Sequence, residues 1–313
     1  MTKNLATCIG LCAILLWASI IAFIKKVSLF WGADLALLFI YSVSTIILLI
    51  IFGLPDFKKI PKGFLVFTTI LFTAFEFCLS YAVALTQTER QAIEVSVLNY
   101  LWPSFTIIAL MMVKEFKLNI FIFFGVTISI LSVFYILTNG QWQNFNIMLH
   151  NMMDNPIVYI LALSAASIWA WYCVVVRKFK IHENPIAFYF LVISILLWLK
   201  FFLISDGQSQ LQNFSMEALV YVLIAAFALG MGYASWNIGI VHGNISLLVA
   251  SSYFTPIISS LFAVFMLNIA LPETFWTGVI AISIGSFICW MGSNLNLIEP
   301  RIRKWLSTVK SAF

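Results

Sequence analysis

Tyr100-Leu-Trp-Pro103 and Tyr253-Phe-Thr-Pro256 are the two short stretches that decide how this chain of 313 residues is organised. They stand 153 positions apart, and the same offset brings Gly125 onto Gly278 and Phe134 onto Phe287 without a gap. At an offset of 152, Ala13, Trp17, Ala18 and Lys26 meet Ala165, Trp169, Ala170 and Lys178. The sequence thus reads as two diverged copies of one unit. Each proline lies inside a long apolar run, where it removes a backbone hydrogen bond and clashes with the carbonyl four residues back. The carbonyls freed in this way belong to Asn99 and Ser252.

The apolar runs recur along the whole chain. Apolar residues make up 63% of it, and Asp, Glu, Lys and Arg together only 9%, against roughly 25% charged in soluble domains. A hydrocarbon core about 30 Å thick needs roughly 20 apolar helical residues. Segments near 5–24, 33–52, 63–85, 92–112, 119–137, 156–176, 186–204, 216–238, 245–267 and 273–292 meet that test. The reading is an all-α integral membrane protein with ten transmembrane helices. The first run is longer than the apolar part of a signal peptide and has no A-x-A cleavage site, so it reads as an uncleaved span.

Lys and Arg gather on the cytoplasmic side of membrane proteins. With a cytoplasmic N-terminus, 13 of the 17 basic residues fall inside, and the long loop 138–155, which has none, falls outside. Both termini are then cytoplasmic. Two copies of five spans each must insert in opposite directions, because five is odd. Carriers built as inverted repeats place their substrate sites near the midplane between the repeats. The expected division is a first repeat at 1–137, an outer connecting loop at 138–155, a second repeat at 156–292 and a basic cytoplasmic tail at 293–313. That tail, with Arg301, Arg303, Lys304, Trp305 and Lys310, reads either as an interfacial helix on the anionic inner leaflet or as a solubilising extension.

Intramembrane polar residues carry the functional reading. Glu76 lies in Thr69–Leu85, a stretch otherwise free of charge, and a carboxyl at that depth faces a cavity or a partner. It is a candidate for substrate or proton binding, with a structural hydrogen bond to a neighbouring helix as the alternative. Glu94 more simply pairs with Arg90 or caps its helix. His242, in the turn Val241-His-Gly-Asn244, is a candidate gate or proton group, or merely a turn residue. Trp17, Tyr81, Asn99, Tyr100, Trp102, Trp169, Tyr172, Trp236, Asn237 and Tyr253 sit mostly mid-span, away from the interfacial belts that Trp and Tyr usually occupy. Buried indole N–H and phenol O–H groups need partners. A hydrated central cavity would supply them, with plain helix packing as the alternative. Pro103 and Pro256 are candidate hinges.

Other classes find no residues to support them. No Walker A, HExxH or GxSxG sequence occurs, and Cys8, Cys12, Cys78, Cys173 and Cys289 make no metal-ligand spacing. No cofactor or metal is expected. The net charge of +5 comes from short clusters at span ends rather than a nucleic-acid-binding face. A carrier of phosphorylated solutes would place several cations in the bundle, and only Lys200 comes near.

Several stretches resemble a known group: Gln91-Ala-Ile-Glu-Val-Ser-Val-Leu-Asn-Tyr-Leu-Trp-Pro-Ser-Phe-Thr106, Trp236-Asn-Ile-Gly-Ile-Val-His-Gly-Asn244 and Ser251-Ser-Tyr-Phe-Thr-Pro256. Leu16-Trp17, Ile60-Pro-Lys-Gly63, Ile168-Trp-Ala170 and Ser286 to Trp290 extend the likeness over nearly the whole chain. They are similar to the YddG-type aromatic amino acid exporters, in the EamA branch of the drug/metabolite transporter superfamily. The resemblance implies the EamA fold, a central cavity, and export of Phe, Tyr and Trp across the bacterial inner membrane. The long outer loop and the basic tail are where the chain departs from that pattern. On this reading Trp17, Tyr100, Trp102, Trp169 and Tyr253 surround the substrate ring, Asn99, Asn237 and Tyr81 hold its zwitterionic end, and Glu76 lies near the ammonium. The chain is expected to act as a monomer, with a broad carrier of amphiphilic metabolites or drugs as the alternative.

Overall fold

The computed structural model describes residues 1–114, 117–141, 143, 145–179, 181, 183–204, 215–268 and 270–293. The tail from 294 onward and Trp142 lie outside them. Among the described residues the regular structure is helical throughout: α1 Lys3–Phe52, α2 Lys62–Ala84, α3 Glu89–Asn99, α4 Trp102–Met112, α5 Ile120–Leu137, α6 Phe145–Asp154, α7 Pro156–Phe179, α8 Ile186–Ile204, α9 Met216–His242, α10 Ile245–Ser252, α11 Thr255–Leu267 and α12 Glu273–Ser293. A 3₁₀ turn at Phe57–Lys59 precedes α2. Large apolar side chains such as Ile50, Phe202, Leu203 and Phe265 remain open on the outside, as lipid-facing surface requires. The chain is a multi-pass membrane protein.

Among the described residues, eight helical stretches are long and apolar enough to cross a bilayer, where the sequence pattern anticipates ten separate helices. The difference has two physical sources. α1 has 50 residues, about 75 Å at 1.5 Å per residue, which far exceeds one hydrocarbon thickness. Its chain reverses at Gly32, whose φ of 77° and ψ of 167° are not helical and lie in a region essentially reserved for glycine. The ninth apolar segment is divided into α10 and α11, 8 and 13 residues long, each too short to cross alone.

Polar contacts mark the two ends of the bundle. At the Gly32 end, the Lys25 ammonium donates to the Thr86 carbonyl, Asn155 donates to the Leu85 carbonyl at 3.2 Å, and Thr274 donates to Asn139 at 2.9 Å. At the opposite end, the Asn244 N–H donates to Thr7 Oγ1 at 2.8 Å and Asn119 donates to the Gly292 carbonyl, also at 2.8 Å.

α5 and α12 meet backbone to backbone. Gly278, Gly285 and Gly292 recur every seventh residue of α12, which keeps them on one helix face. A Cβ on Gly285 would fall 2.6 Å from Ser129 Oγ and 2.8 Å from the Gly125 carbonyl oxygen. A Cβ on Gly278 would fall 3.3 Å from the Ser132 carbonyl oxygen. These contacts are reciprocal: at an offset of 153, Gly125 against Gly285 exchanges into Gly278 against Ser132. Small residues of this kind let membrane helices approach closely. We predict that Gly285→Ala forces the two backbones apart and destabilises the protein by about 1–3 kcal/mol, the usual cost of overpacking. Thermal unfolding in detergent checks this, with Gly63→Ala, which meets nothing within 4 Å, as the silent control.

Candidate functional site

The two proline motifs fold alike. α3 ends at Asn99 and α4 begins at Trp102, with Pro103 in its first turn. α10 ends at Ser252 and α11 begins at Thr255, with Pro256 in its first turn. The intervening pairs relax ψ from the helical value of about −42° to −1° and −10° at Tyr100 and Leu101, and to −12° and −9° at Tyr253 and Phe254. A proline at the first turn costs no intrahelical donor, so each break falls where the chain tolerates it. The buried side-chain oxygen of Asn99 has no hydrogen-bond partner beside the first break.

α2 carries Phe72, Glu76 and Ser80 at intervals of four, which places them in a row on one face. Glu76 is only 2% exposed. Tyr41, from the second half of α1, donates to its Oε2 and also lies 2.7 Å from Ser80 Oγ. Tyr233, from α9, directs its phenol at the same carboxyl, while Oε1 has no partner in hydrogen-bond geometry. Beside this chain, Thr45 and Ser194 share a hydrogen bond of 2.7 Å between α1 and α8.

Rings close around the carboxyl. Fully buried Phe72 has the rings of Tyr189 and Tyr233 each at 5.1 Å and Tyr172 at 5.7 Å. Trp169 stacks on Tyr172 at 5.0 Å and 21°, lies 4.5 Å from Phe75 and meets Trp102 edge-on at 6.5 Å. Trp17 contacts Tyr233 at 5.2 Å and Trp236 at 5.1 Å. It approaches so closely because Gly232 offers no Cβ. Such pairs contribute about 0.5–1.5 kcal/mol each beyond area burial. Tyr172 lies deep in the bundle yet, like Trp169, Trp17 and Trp236, keeps part of its surface open. The Trp17 indole N–H is buried without an acceptor. The centre is therefore rings and one carboxyl, with Phe72 packed where the sequence pattern anticipates open space.

Of the residues singled out from the sequence, Trp17, Glu76, Trp102, Trp169, Tyr172 and Trp236 come together in this cluster. Others belong elsewhere. Tyr81 donates to Asp34 at 2.9 Å and accepts from Lys200 at 3.0 Å, next to the Lys200–Asp34 ion pair at the Gly32 end. Asn237 donates to Asn184 at 2.8 Å, at the other end, where Glu183 and then Asp56 hold the Lys59 ammonium above its usual range. Tyr100 is buried near Ser96 and Ser259, and Tyr253 packs on Phe287 at 6.3 Å. His242 is exposed at the end of α9, and Glu94 accepts from Tyr159 at 3.0 Å. Sequence reasoning missed Tyr41, Tyr189 and Tyr233, which carry the same signal as Tyr81: a phenol at membrane depth. It also missed Phe72, indistinguishable among 30 phenylalanines.

Long apolar helices around a buried carboxyl and a ring cluster define an integral membrane protein of the solute-transporter class. A model of the EamA-like transporter family matches residues 156–291, from the start of α7 into the end of α12. The aromatic amino acid exporter YddG of Salmonella typhimurium (strain 14028s / SGSC 2262) is 36% identical over 293 residues, covering 94% of this chain and 99% of that protein. The protein of the same name from Escherichia coli (strain K12) matches to the same extent. A crystal structure 19% identical in sequence superposes with a TM-score of 0.60, over 94% of this chain and 98% of that one, and shares the fold. The chain belongs to the EamA-like transporter family.

Tyr41→Phe leaves Glu76 Oε2 without its phenol donor. We expect a loss of about 1–3 kcal/mol, the cost of an unsatisfied buried polar group, read as a lower unfolding temperature in detergent. Tyr81→Phe, in the half-buried cluster near Lys200, should cost clearly less.

Proposed function

We propose that this protein exports aromatic amino acids across the bacterial inner membrane as a secondary carrier and catalyses no reaction. The observation that carries this reading is the match, over nearly the whole of both chains, to two proteins named as aromatic amino acid exporters. The ring cluster around Glu76 supports it with matching chemistry, apolar faces for a side-chain ring and a carboxyl for the α-ammonium.

The proposed topology has ten crossings. The two halves of α1 supply two, and the divided pairs α3/α4 and α10/α11 supply one each. α2, α5, α7, α8, α9 and α12 supply the rest. Two inverted repeats, 1–137 and 156–292, are supported by the matched backbone breaks at Tyr100 and Tyr253 and by the reciprocal contacts of α5 and α12. Both termini are cytoplasmic, which makes the Gly32 end the outer one, and a single copy of the chain carries the cycle. In alternating access, the Lys200–Asp34–Tyr81 cluster closes the outer end, and Asn237–Asn184 with Lys59–Glu183 closes the inner. The breaks before Pro103 and Pro256 absorb the bend. Trp17, Trp169 and Tyr172 receive the substrate ring, Asn99 at the first break offers its unpartnered amide oxygen, and Glu76 Oε1 receives the ammonium.

Labelled phenylalanine counterflow in reconstituted vesicles tests the proposal. Glu76→Gln keeps the shape and removes the charge, and should lower flux at least about tenfold, the equivalent of one lost ammonium–carboxylate contact, while leaving the size-exclusion profile intact. Unchanged flux removes Glu76 from the mechanism. Competition by small neutral amino acids or nucleosides as strong as that by Tyr and Trp would favour a broad amphiphile carrier instead.

A further inference from the structure

The ring cluster has a one-sided charge complement. Its acidic member, Glu76, is 2% exposed and has an unpartnered oxygen. Among the described residues no Lys, Arg or His belongs to the cluster. At the Gly32 end, Lys25 is engaged with the Thr86 carbonyl, Lys26 lies over the Tyr221 ring and Lys200 pairs with Asp34. Lys200 also rests over the ring of Tyr81, 4.5 Å from its centroid. A zwitterion entering the centre therefore finds a carboxyl to meet its ammonium and only neutral groups for its carboxylate. A charge at this depth without a partner is costly, so the carboxylate adds little to recognition and loses its hydration.

We infer that the site also takes aryl-alkyl ammonium cations, aromatic amines that lack the carboxylate altogether. Such a cation brings the ring that the Phe72, Trp169 and Tyr172 surfaces accept and the single charge that Glu76 neutralises. The matching aryl-alkyl carboxylate, with no ammonium, meets Glu76 as a like charge and is rejected. This inference rests on the proposal that substrate binds at the Glu76 cluster.

Titration calorimetry of the purified full-length protein with phenylalanine, phenethylamine and 3-phenylpropionate is the test. Phenethylamine is expected to bind within about threefold of phenylalanine or more tightly, and 3-phenylpropionate at least about tenfold more weakly, because charge complementarity discriminates by the repulsion it builds in. Glu76→Gln should weaken phenethylamine at least about tenfold, and Glu76→Asp, which keeps the charge, should retain the order of preference. The wild-type series decides by itself if the glutamine variant fails to fold. Phenethylamine binding tenfold weaker than phenylalanine, or 3-phenylpropionate binding as well as the amine, overturns the inference. Phenylalanine counterflow, run in parallel, separates the two ideas. Flux with no amine binding leaves the exporter standing and sinks this inference, and amine binding with no flux does the reverse.

Discussion

Holding a carboxyl in the middle of an apolar bundle is the constraint around which the centre of this protein is built. A buried carboxyl is tolerated only where donors or a counter-charge meet it. Here α2 carries the carboxyl, α1 brings the Tyr41 phenol and α9 brings Tyr233. Two successive helices and a third from far along the chain are thereby tied at one point. Each donor is itself held by apolar packing: Tyr41 lies 5.7 Å from Phe190, and Tyr233 touches Trp17 and Phe72. The polar contact and the ring cluster are one unit, and the vacant oxygen of Glu76 is its open position.

Much of the fold is legible in the sequence because lipid imposes simple rules on length and apolarity. The paired Tyr…Pro motifs predict bends, and the backbone relaxes over the same two positions in each. What the rules do not convey is how segments join or divide. Gly32 reverses the chain without a loop, so two expected helices run as one element with a non-helical residue inside. A proline motif near the middle of a segment cuts it into pieces too short to count alone. Hydropathy averages over windows wider than either event.

The site is legible in part. Glu76 stands out because charge is rare at depth, and Trp17 and Trp169 stand out because tryptophan usually sits at membrane interfaces. Their partners do not stand out. Tyr41 and Tyr233 look like ordinary aromatic residues until tertiary packing turns their hydroxyls on the carboxyl. Tyr81 shows the opposite error: its phenol is as deep by sequence position as many, but Asp34 and Lys200 at the helix ends draw it toward the rim. One-dimensional position does not say which way a side chain points around a helix, and that angle separates the centre from the edge.

The glycine face of α12 has a mechanical consequence. Where a helix offers only glycine to its partner, the partner's groups, among them Ser129 Oγ, the Gly125 carbonyl and the Ile136 side chain, sit directly on its backbone and have little room to re-pack. Sliding one past the other would drive these groups into the glycine backbone. In the proposed cycle the line between α5 and α12 is therefore a fulcrum: the rest of the bundle swings about it, and the span of the swing is set by elements far from it, beside the bends at Tyr100 and Tyr253.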